Sequence, residues 1–394
     1  MKITKVEPIL FDAGLGRVWL FVRVETDEGV SGIGESTTTE PFMAAGVLRR
    51  VGESLLGEDP SRIQDFWQRT YRRHFNVRGG PLLLCAMSGI EHALWDIKGK
   101  VAGLPVYELL GGQLRSSVPV YANHMFFSGL DDPSAYAERA AEAAALGYQA
   151  VKIDPFGTAR DTLRPPELRH ALALVRAVRD SVGPDIGVAV DSHAKFSMAA
   201  AIKAGRALEE FDPLFYEEPV PPENVHALRK VRESVDVPIA TGERLYTKWG
   251  FRVLLEAQAA EIIQVDVAHC GGILEARLVA AMAETYYVQL APHSWYGPVS
   301  LAASLHLDAC IPNLLMQERA VPHQEPPQQR DLQCAQAPGA QARGRRVPHQ
   351  EPPQQRDLLT TPLVFANGCL VIPTGPGLGI ALNDDVLDAH RLTG

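Results

Sequence analysis

Three carboxylates in the middle of the chain have the types and the spacing needed to bind a metal ion. Asp191, Glu217 and Glu243 end the short apolar runs VAVD, LFYE and PIATGE, and successive acids are 26 residues apart. Strands that end this way and alternate with helices are typical of a barrel whose strand ends open into one mouth. Unpaired carboxylates there would repel one another unless a divalent cation bound their oxygens, so we predict a Mg²⁺ site.

The elements that must position these acids begin near Val118, where short apolar runs start to alternate with helical stretches. Eight strand–helix steps follow one another from VPVYAN to NLLMQE, and an irregular tail follows the eighth. This alternation predicts an α/β protein with a (β/α)₈ barrel or a near variant of it over residues 116–318. The first helix-forming run of this region, DPSAYAERAAEAAALG, is expected to be capped by Asp132 or Ser134.

A different pattern precedes the barrel. Residues 1–40 alternate as strands, and residues 41–110 have apolar positions at helical spacing up to the pair Gly111-Gly112. We therefore predict an α+β domain over residues 1–115. The segment FDAGLGRVW between the first two strands is interpreted either as a plain hairpin loop or as a lid over the active site.

Residues 319–358 break the pattern. The segment VPHQEPPQQRDL occurs at 321–332 and again, identically, at 347–358, which indicates a recent tandem duplication or an error in the sequence. Because it is rich in proline and glutamine, we expect an irregular surface loop. The remaining residues, 359–394, are predicted to form two strands around an Asn-Gly turn and to return to the first domain.

Composition limits the classes of partner. The formal net charge is −9 without a basic run, which argues against nucleic acid. No apolar run approaches the ~18 residues of a membrane span, and the first residues lack a signal-peptide pattern. The five scattered cysteines have no metal-type spacing, so we expect thiols in a reducing cytoplasm.

The motifs VDSH, FYEEP, TGER, VDVAHCGG, APHS and MQE follow one another at successive strand ends. In this combination the chain resembles the enolase superfamily, in its mandelate racemase/muconate lactonizing enzyme-like branch. The resemblance implies an α+β capping domain over a modified (β/α)₇β barrel, and commonly a homo-oligomer. It implies that Asp191, Glu217 and Glu243 bind Mg²⁺, and that the reaction begins by abstraction of the proton α to a metal-bound carboxylate.

Two histidines match catalytic positions of this family. His293, in APHS, and Asp266, in QVDV, end consecutive strands and match its His–Asp dyad, in which the carboxylate fixes the imidazole tautomer of a general base. His193, two residues after Asp191, is expected on the same strand face by alternation. The resemblance to dehydratases implies that it protonates a departing β-hydroxyl. A structural role in the core is the alternative for either histidine.

Three further residues follow from the resemblance. Lys152 and Asp154, in VKID, lie where related racemases have Lys-x-Lys, so the second base needed for racemisation is missing. Lys152 is expected to stabilise carboxylate charge. For Asp154 four roles remain open: it binds a substrate hydroxyl, it acts as a weaker acid or base, it caps a helix, or it pairs with Lys152. Glu318, in MQE, matches the eighth-strand acid that hydrogen-bonds the substrate carboxylate, for which it must be protonated or share a proton.

These residues favour a Mg²⁺-dependent dehydratase of a sugar acid: an aldonate, a uronate-derived acid or an aldarate. His293 would remove the α-proton and His193 would protonate the β-hydroxyl, giving a 2-keto-3-deoxy acid. Since a base alone contributes only ~10²–10⁴ in rate, Mg²⁺, Lys152 and Glu318 would have to stabilise the enolate. The alternatives are a racemase, epimerase or cycloisomerase with the same intermediate, and an impaired barrel with a structural or regulatory role.

Overall fold

The structure, a computed structural model, describes residues 1–123, 131–321 and 352–393. Its first part is an antiparallel sheet covered by helices: β1 (Ile3–Gly14), β2 (Arg17–Thr26), β3 (Ser31–Glu35), α1 (Pro41–Glu53), α2 (Ile63–Arg73), α3 (Pro81–Ala102) and α4 (Val106–Leu109). The alternating apolar residues Leu20, Val22 and Val24 of β2 are fully buried. Gly14 pairs with Arg17, so the segment between β1 and β2 forms a tight hairpin turn.

A closed barrel follows. Its strands are β4 (Ser117–Asn123), β5 (Ala150–Ile153), β6 (Gly187–Asp191), β7 (Phe215–Glu217), β8 (Ile239–Thr241), β9 (Ile262–Ile263), β10 (Gln289–Leu290) and β11 (Gln317–Ala320). Neighbouring strands from β4 to β10 are parallel, and β11 pairs with β4. The barrel closes between β10 and β11, where the amide of Leu315 donates to the carbonyl oxygen of Leu290 at 2.7 Å.

Seven helices connect these eight strands: α5 (Pro133–Ala145), α6 (Pro165–Val182), α7 (Met198–Leu208), α8 (Val225–Arg232), α9 (Thr247–Ala257), α10 (Ile273–Glu284) and α11 (Pro298–Cys310). The (β/α)₇β barrel with a capping domain is thereby confirmed. Of the two residues considered as the cap of α5, Asp132 holds the position, and its side chain accepts the amide of Ala135 at 3.2 Å. Within the described ranges no helix is both long and apolar enough to cross a membrane.

Two buried carboxylates of the first domain join it to the barrel. The side chain of Glu35, at the end of β3, accepts the amides of Gly297 at 2.7 Å and Ser300 at 2.8 Å, at the start of α11. Glu91, in α3, accepts the amide of Ile273 at 2.8 Å, at the start of α10. The first amides of a helix lack partners within it and favour a negative charge. The cap therefore contacts the two barrel helices that follow β9 and β10.

The prediction that the last strands return to the first domain is wrong for the hairpin and right only beyond it. β12 (Phe365–Ala366) and β13 (Cys369–Val371) flank a turn in which Asn367 and Gly368 both have positive φ. β13 pairs antiparallel with β4, so the hairpin extends the barrel. Beyond the hairpin the chain does contact the capping sheet: Asp384, the first residue of α13 (Asp384–Ala389), pairs with Arg23 of β2, and the amide of Leu392 donates to Leu10 of β1 at 2.8 Å.

The expected irregular loop over 319–358 is wrong at both of its described ends. β11 continues to Ala320, and residues of the second repeat form the short helix α12 (Pro353–Arg356). Gln355 donates from Nε2 to the carbonyl oxygen of Ala13 at 2.6 Å, and Leu358 is fully buried. The proline-rich composition therefore did not prevent packing, because the side-chain amide of Gln355 bonds to β1 and Leu358 is buried in the core. Residues 322–351 of the predicted loop lie outside the described residues.

Deletion of residues 333–358 is expected to leave the free energy of unfolding within about 1 kcal/mol, because the remaining repeat has the same residues and shortening a loop changes its closure entropy only slightly. Urea unfolding measures this. In the shortened chain Leu332 takes the place of Leu358, so adding Leu332→Ala should cost about 2–5 kcal/mol. A deletion variant that is as unstable as this control would show that the repeats are not interchangeable.

Candidate active site

The three acids with regular spacing meet at the carboxyl end of the barrel. Asp191 and Glu217 are the last residues of β6 and β7 and lie opposite each other in the strand register. Glu243 follows β8 after Gly242, which has a φ of +141°. A Cβ on that glycine would lie 2.9 Å from the amide nitrogen of Gln264, so only glycine brings the chain around to this position.

These carboxylates have the properties of cation ligands. Oδ2 of Asp191 and Oε2 of Glu217 are buried, yet they accept no hydrogen bond from any described residue. Burial and the charges of Glu217 and Asp191 raise the pKa of Glu243 well above its usual range, and burial and Asp191 raise that of Glu217. Unsatisfied buried oxygens that repel one another fit a hard divalent cation, which prefers oxygen ligands.

The carboxylate oxygens of Asp191, Glu217 and Glu243 nevertheless do not all lie close enough to one another to bind one ion. Among the described residues, the three whose potential ligand atoms all lie within 4.8 Å of one another are Asp266, His269 and His293. The carboxylate of Glu243 is instead turned aside, with Oε1 2.7 Å from Arg244 and Oε2 3.4 Å from Nε2 of His293. The three acids fit a hard divalent cation better than this second group does, because Nδ1 of His293 is already bound to Asp266 and hard cations prefer oxygen to imidazole.

Lys152, in β5, is the cation beneath these acids. Its Nζ lies 2.8 Å from both Glu217 and Glu318 and 3.6 Å from Asp191. Burial alone would lower the pKa of Lys152, but the charges of Glu217 and Glu318 raise it well above its usual range. Lys152 is therefore charged in this site, and its position is suited to stabilising negative charge.

The surroundings of Glu318, in β11, favour its carboxylate form, whereas the resemblance implied an acid that is protonated or shares a proton when it binds a substrate carboxylate. Burial opposes ionisation, but Lys152 and His293 lower its pKa to about 2. Its oxygens also accept the side-chain amide of Asn123 at 2.6 Å and the backbone amide of Ser294 at 2.8 Å. All these partners are donors or cations, so they stabilise the carboxylate. They come from other segments of the chain, so the motif MQE alone could not reveal them.

His293 and Asp266 lie side by side after β10 and β9. Nδ1 of His293 is 2.6 Å from Oδ2 of Asp266, while Oδ1 of Asp266 accepts the amide of Ala268 at 2.7 Å. Burial opposes a charged ring, but Glu318 and Asp266 raise the pKa of His293. The pair occupies Nδ1, so Nε2 of His293, which lies 3.4 Å from Oε2 of Glu243, is the ring nitrogen that can exchange a proton with a ligand in the cavity.

His269 is a site residue that the sequence reasoning missed. Its Nδ1 lies 3.4 Å from Oδ2 of Asp266, and its Nε2 lies 3.2 Å from the carbonyl oxygen of Thr37 in the cap. Burial lowers its pKa, so the ring is neutral. The motif VDVAHCGG contained it, three residues after Asp266, where the two residues share one turn of the chain.

His193 lies beyond the end of β6, in a turn where its φ is +47°. The expectation that strand alternation places His193 on the face of Asp191 is therefore wrong, because the turn sets the direction of its side chain. Its Nδ1 is 2.8 Å from Oδ2 of Asp154, and its Nε2 is 3.3 Å from Oδ2 of Asp191. Burial opposes protonation, but Asp191 and Asp154 raise the pKa of His193, which favours the protonated ring.

Asp154 has a partner that the sequence did not suggest. Its Oδ2 also contacts Nζ of Lys195, whereas its expected partner Lys152 is bound to the acids of the barrel mouth. Burial opposes ionisation of Asp154, but His193 and Lys195 lower its pKa. Asp154 is therefore an ionised support for His193 in this structure.

A cavity of about 570 Å³ opens over these groups between the barrel and the cap. From the barrel it is lined by Lys152, His193, Glu243, His269 and His293, among others. The cap contributes a separate set of lining residues: Thr38, Thr39, Glu40, Met43, Pro81 and Leu82. A small molecule in it can contact both histidines and the acid cluster.

Comparison with family models agrees with this architecture. Residues 16–111 match the mandelate racemase/muconate lactonizing enzyme N-terminal domain, and residues 135–386 match the enolase C-terminal domain-like family. The solved mandelate racemase/muconate lactonizing enzyme from Jannaschia sp. CCS1 is 33% identical, with a TM-score of 0.86 over 100% of this chain and 98% of that one. The chain belongs to the mandelate racemase/muconate lactonizing enzyme family of the enolase superfamily.

Curated relatives narrow the reaction class. A D-gluconate dehydratase from Thermoproteus tenax is 34% identical across 99% of this chain and 74% of that protein. A D-galactonate dehydratase from Variovorax paradoxus is 39% identical, with 82% of each chain covered. A further one, from Ralstonia pickettii, is 40% identical with the same coverage. The protein is an enzyme, a hydro-lyase of the enolase superfamily.

Proposed function

We propose that the enzyme is a Mg²⁺-dependent dehydratase of an aldonate, which it converts to a 2-keto-3-deoxy acid. The observation that carries this proposal is the pairing of two histidines around one cavity, each with its own aspartate. His293 is bound to Asp266, and His193 is bound to Asp154. One base and one acid are what elimination of water requires. The gluconate and galactonate dehydratases among the relatives act on aldonates, which supports this substrate class.

Asp191, Glu217 and Glu243 would hold Mg²⁺, since one buried oxygen each of Asp191 and Glu217 lacks a hydrogen-bond partner among the described residues and Glu243 lies beside them at the end of the next strand. Bound there, Mg²⁺ supplies Lewis-acid stabilisation of negative charge on the substrate carboxylate. The ammonium group of Lys152, next to Glu217 and Glu318, adds positive charge from below. Together they offset the weak acidity of a proton α to a carboxylate.

The protein groups then divide the proton transfers. Nε2 of His293 takes the α-proton, and the electron pair of that C–H bond forms the enolate. The enolate collapses to a double bond between the α- and β-carbons as the β C–O bond breaks. His193 gives its proton to the departing oxygen, which leaves as water, and the resulting enol tautomerises to the keto acid.

Two-base racemisation is less well supported by the same geometry. The racemases resembled here have a second lysine at the position of Asp154. Asp154 instead binds His193 and Lys195 and is not among the described residues that line the cavity. An ionised carboxylate turned away from the substrate is poorly placed to take an α-proton from the opposite face.

The cap side of the cavity favours a substrate with a single carboxylate. Its described lining residues from the cap include the acid Glu40, two threonines and apolar side chains, but no lysine or arginine. A second carboxylate at the far end of an aldarate would meet Glu40 and no described cation of the cap, since Arg244 of the same cavity is paired with Glu243 on the barrel side. Aldonate hydroxyls can hydrogen-bond there instead. We therefore expect aldonates to be turned over faster than the aldarates of the same configuration.

The proposal is tested by incubating the enzyme and Mg²⁺ with a panel of aldonates and aldarates, followed by a semicarbazide assay for 2-keto acid. We expect keto acid from an aldonate, and its loss on addition of EDTA. A parallel incubation in D₂O separates the alternatives. Deuterium at the α-carbon without keto acid would show that the enzyme is an epimerase and not a dehydratase. Keto acid formation that resists EDTA would show that the reaction does not need the metal.

A further inference from the structure

A buried lysine that the reaction scheme above does not use lies behind His193. Lys195 belongs to the same turn after β6, and its side chain is 8% exposed. Its Nζ contacts Oδ2 of Asp154 and donates to the carbonyl oxygen of Gly157 at 3.1 Å. An ammonium group is costly to remove from water unless it is paired, so the burial of Lys195 ties it to Asp154.

The carboxylate of Asp154 is in turn held from several sides. Oδ2 contacts both Lys195 and Nδ1 of His193, the latter at 2.8 Å. Oδ1 accepts the backbone amide of Phe156 at 3.1 Å. A carboxylate fixed in this way accepts the Nδ1–H of the imidazole and leaves Nε2 as the ring nitrogen that faces the cavity.

Packing alone does not fix the imidazole of His193. Its side chain is 47% exposed, in contrast to the 7% exposure of the His293 side chain. Two carboxylates contact the ring, Asp154 at Nδ1 and Asp191 at Nε2. The bond to Asp154, at 2.8 Å against 3.3 Å, is the shorter and selects the tautomer and the ring orientation. That bond depends on the position of the Asp154 carboxylate, to which Lys195 is bound.

We propose that Lys195 is a positioning residue for the general acid, which it orients through Asp154. This inference rests on the proposed dehydratase function. Neither Lys195 nor Asp154 is among the described residues that line the cavity, whereas His193 is. The assisted step is the transfer of the Nε2 proton of His193 to the β-hydroxyl oxygen, while the C–O bond breaks with its electron pair and water leaves.

The leaving group provides the test, because fluoride departs without a proton. Lys195→Met keeps the length of the side chain and removes its charge. With the aldonate that gives most keto acid, we expect kcat for dehydration to fall about 10–100-fold while KM changes less than about twofold. With the 3-deoxy-3-fluoro analogue of that aldonate, which loses HF to give the same keto acid, we expect kcat to change less than about twofold.

The matched control is Lys203→Met. Lys203 lies in α7 and donates to the carbonyl oxygen of Leu163. No described hydrogen bond or ion pair joins it to Asp154 or His193, so both reactions should keep their rates. Equal losses of dehydration and HF elimination in Lys195→Met would indicate a structural role and overturn the inference. Unchanged dehydration would also overturn it. If the wild-type enzyme eliminates neither water nor HF from any aldonate, the proposed function fails and the inference falls with it.

A second measurement does not depend on turnover. In ¹⁵N-histidine-labelled enzyme, the His193 signals are assigned by their loss in His193→Asn. We expect the wild-type ring to carry its proton on Nδ1 when neutral, and Lys195→Met to show a mixture of the two tautomers. An unaltered tautomer in Lys195→Met would overturn the positioning role even if the enzyme lost activity, and would leave the proposed function untouched.

Discussion

His293→Asn is expected to lower kcat for dehydration by about 10³-fold or more, since it removes the general base. The asparagine amide can still donate to Asp266, as Nδ1 of His293 does at 2.6 Å, so the buried carboxylate keeps a partner. What is lost is Nε2, the atom that faces the cavity. Exchange of the α-proton with D₂O, followed by NMR, should disappear together with keto acid formation, because both begin with the same proton transfer.

Two companion variants make this result specific. His226→Asn, at an exposed histidine of α8, should keep the wild-type rate. Asp266→Asn should lower kcat about 10²-fold, because its amide can donate to Nδ1 and so favours the tautomer with the proton on Nε2. Calorimetry should find Mg²⁺ binding intact in His293→Asn. If this variant still dehydrates the substrate, His293 is not the base.

His193→Asn is expected to separate the two proton transfers. Dehydration should fall about 10²–10³-fold, because the hydroxyl must then leave without a proton from the enzyme. Deuterium exchange at the α-carbon should continue, because His293 and Asp266 are unchanged and the enolate can return to substrate. The measurement is NMR of the recovered aldonate in D₂O beside the semicarbazide assay for keto acid.

The position of His193 makes this separation a demanding test. Its Nε2 lies 3.3 Å from Oδ2 of Asp191, so a variant that disturbed the metal would lose both reactions. Mg²⁺ affinity must therefore be measured in the same preparation. Loss of exchange with unchanged Mg²⁺ affinity would show that His193 takes part before the enolate forms, contrary to its assignment as the acid of the second step.

Most of the barrel could be predicted from the sequence because periodicity records burial. The interval of 26 residues between Asp191, Glu217 and Glu243 is the length of one strand and one helix with their connections. Since parallel strands stay in register, Asp191 and Glu217 become neighbours. The site residues at strand ends could be predicted for the same reason, because the end of an apolar run marks where a side chain enters the mouth of the barrel.

Contacts between distant segments could not be predicted in this way. The carboxylate form of Glu318 is favoured by Lys152 and His293, which come from other segments and leave no trace in the motif MQE. The turn that carries His193 leaves the strand geometry, so a rule of alternation did not apply to it. Lys195 escaped notice because its importance comes from the carboxylate it contacts, 41 residues earlier in the chain.

The contact between the end of the described chain and β1 has a consequence for the order of folding during synthesis. Arg391 forms an antiparallel bridge with Phe11, and the flanking backbone hydrogen bonds pair the open edge of β1 from Leu10 to Asp12. The ribosome produces β1 before the barrel and its edge partner after it. Until then β1 presents unpaired backbone groups, which can pair with other chains. The capping sheet is therefore completed only once the whole barrel has been synthesised, and a chaperone that binds nascent strands would protect it in that interval.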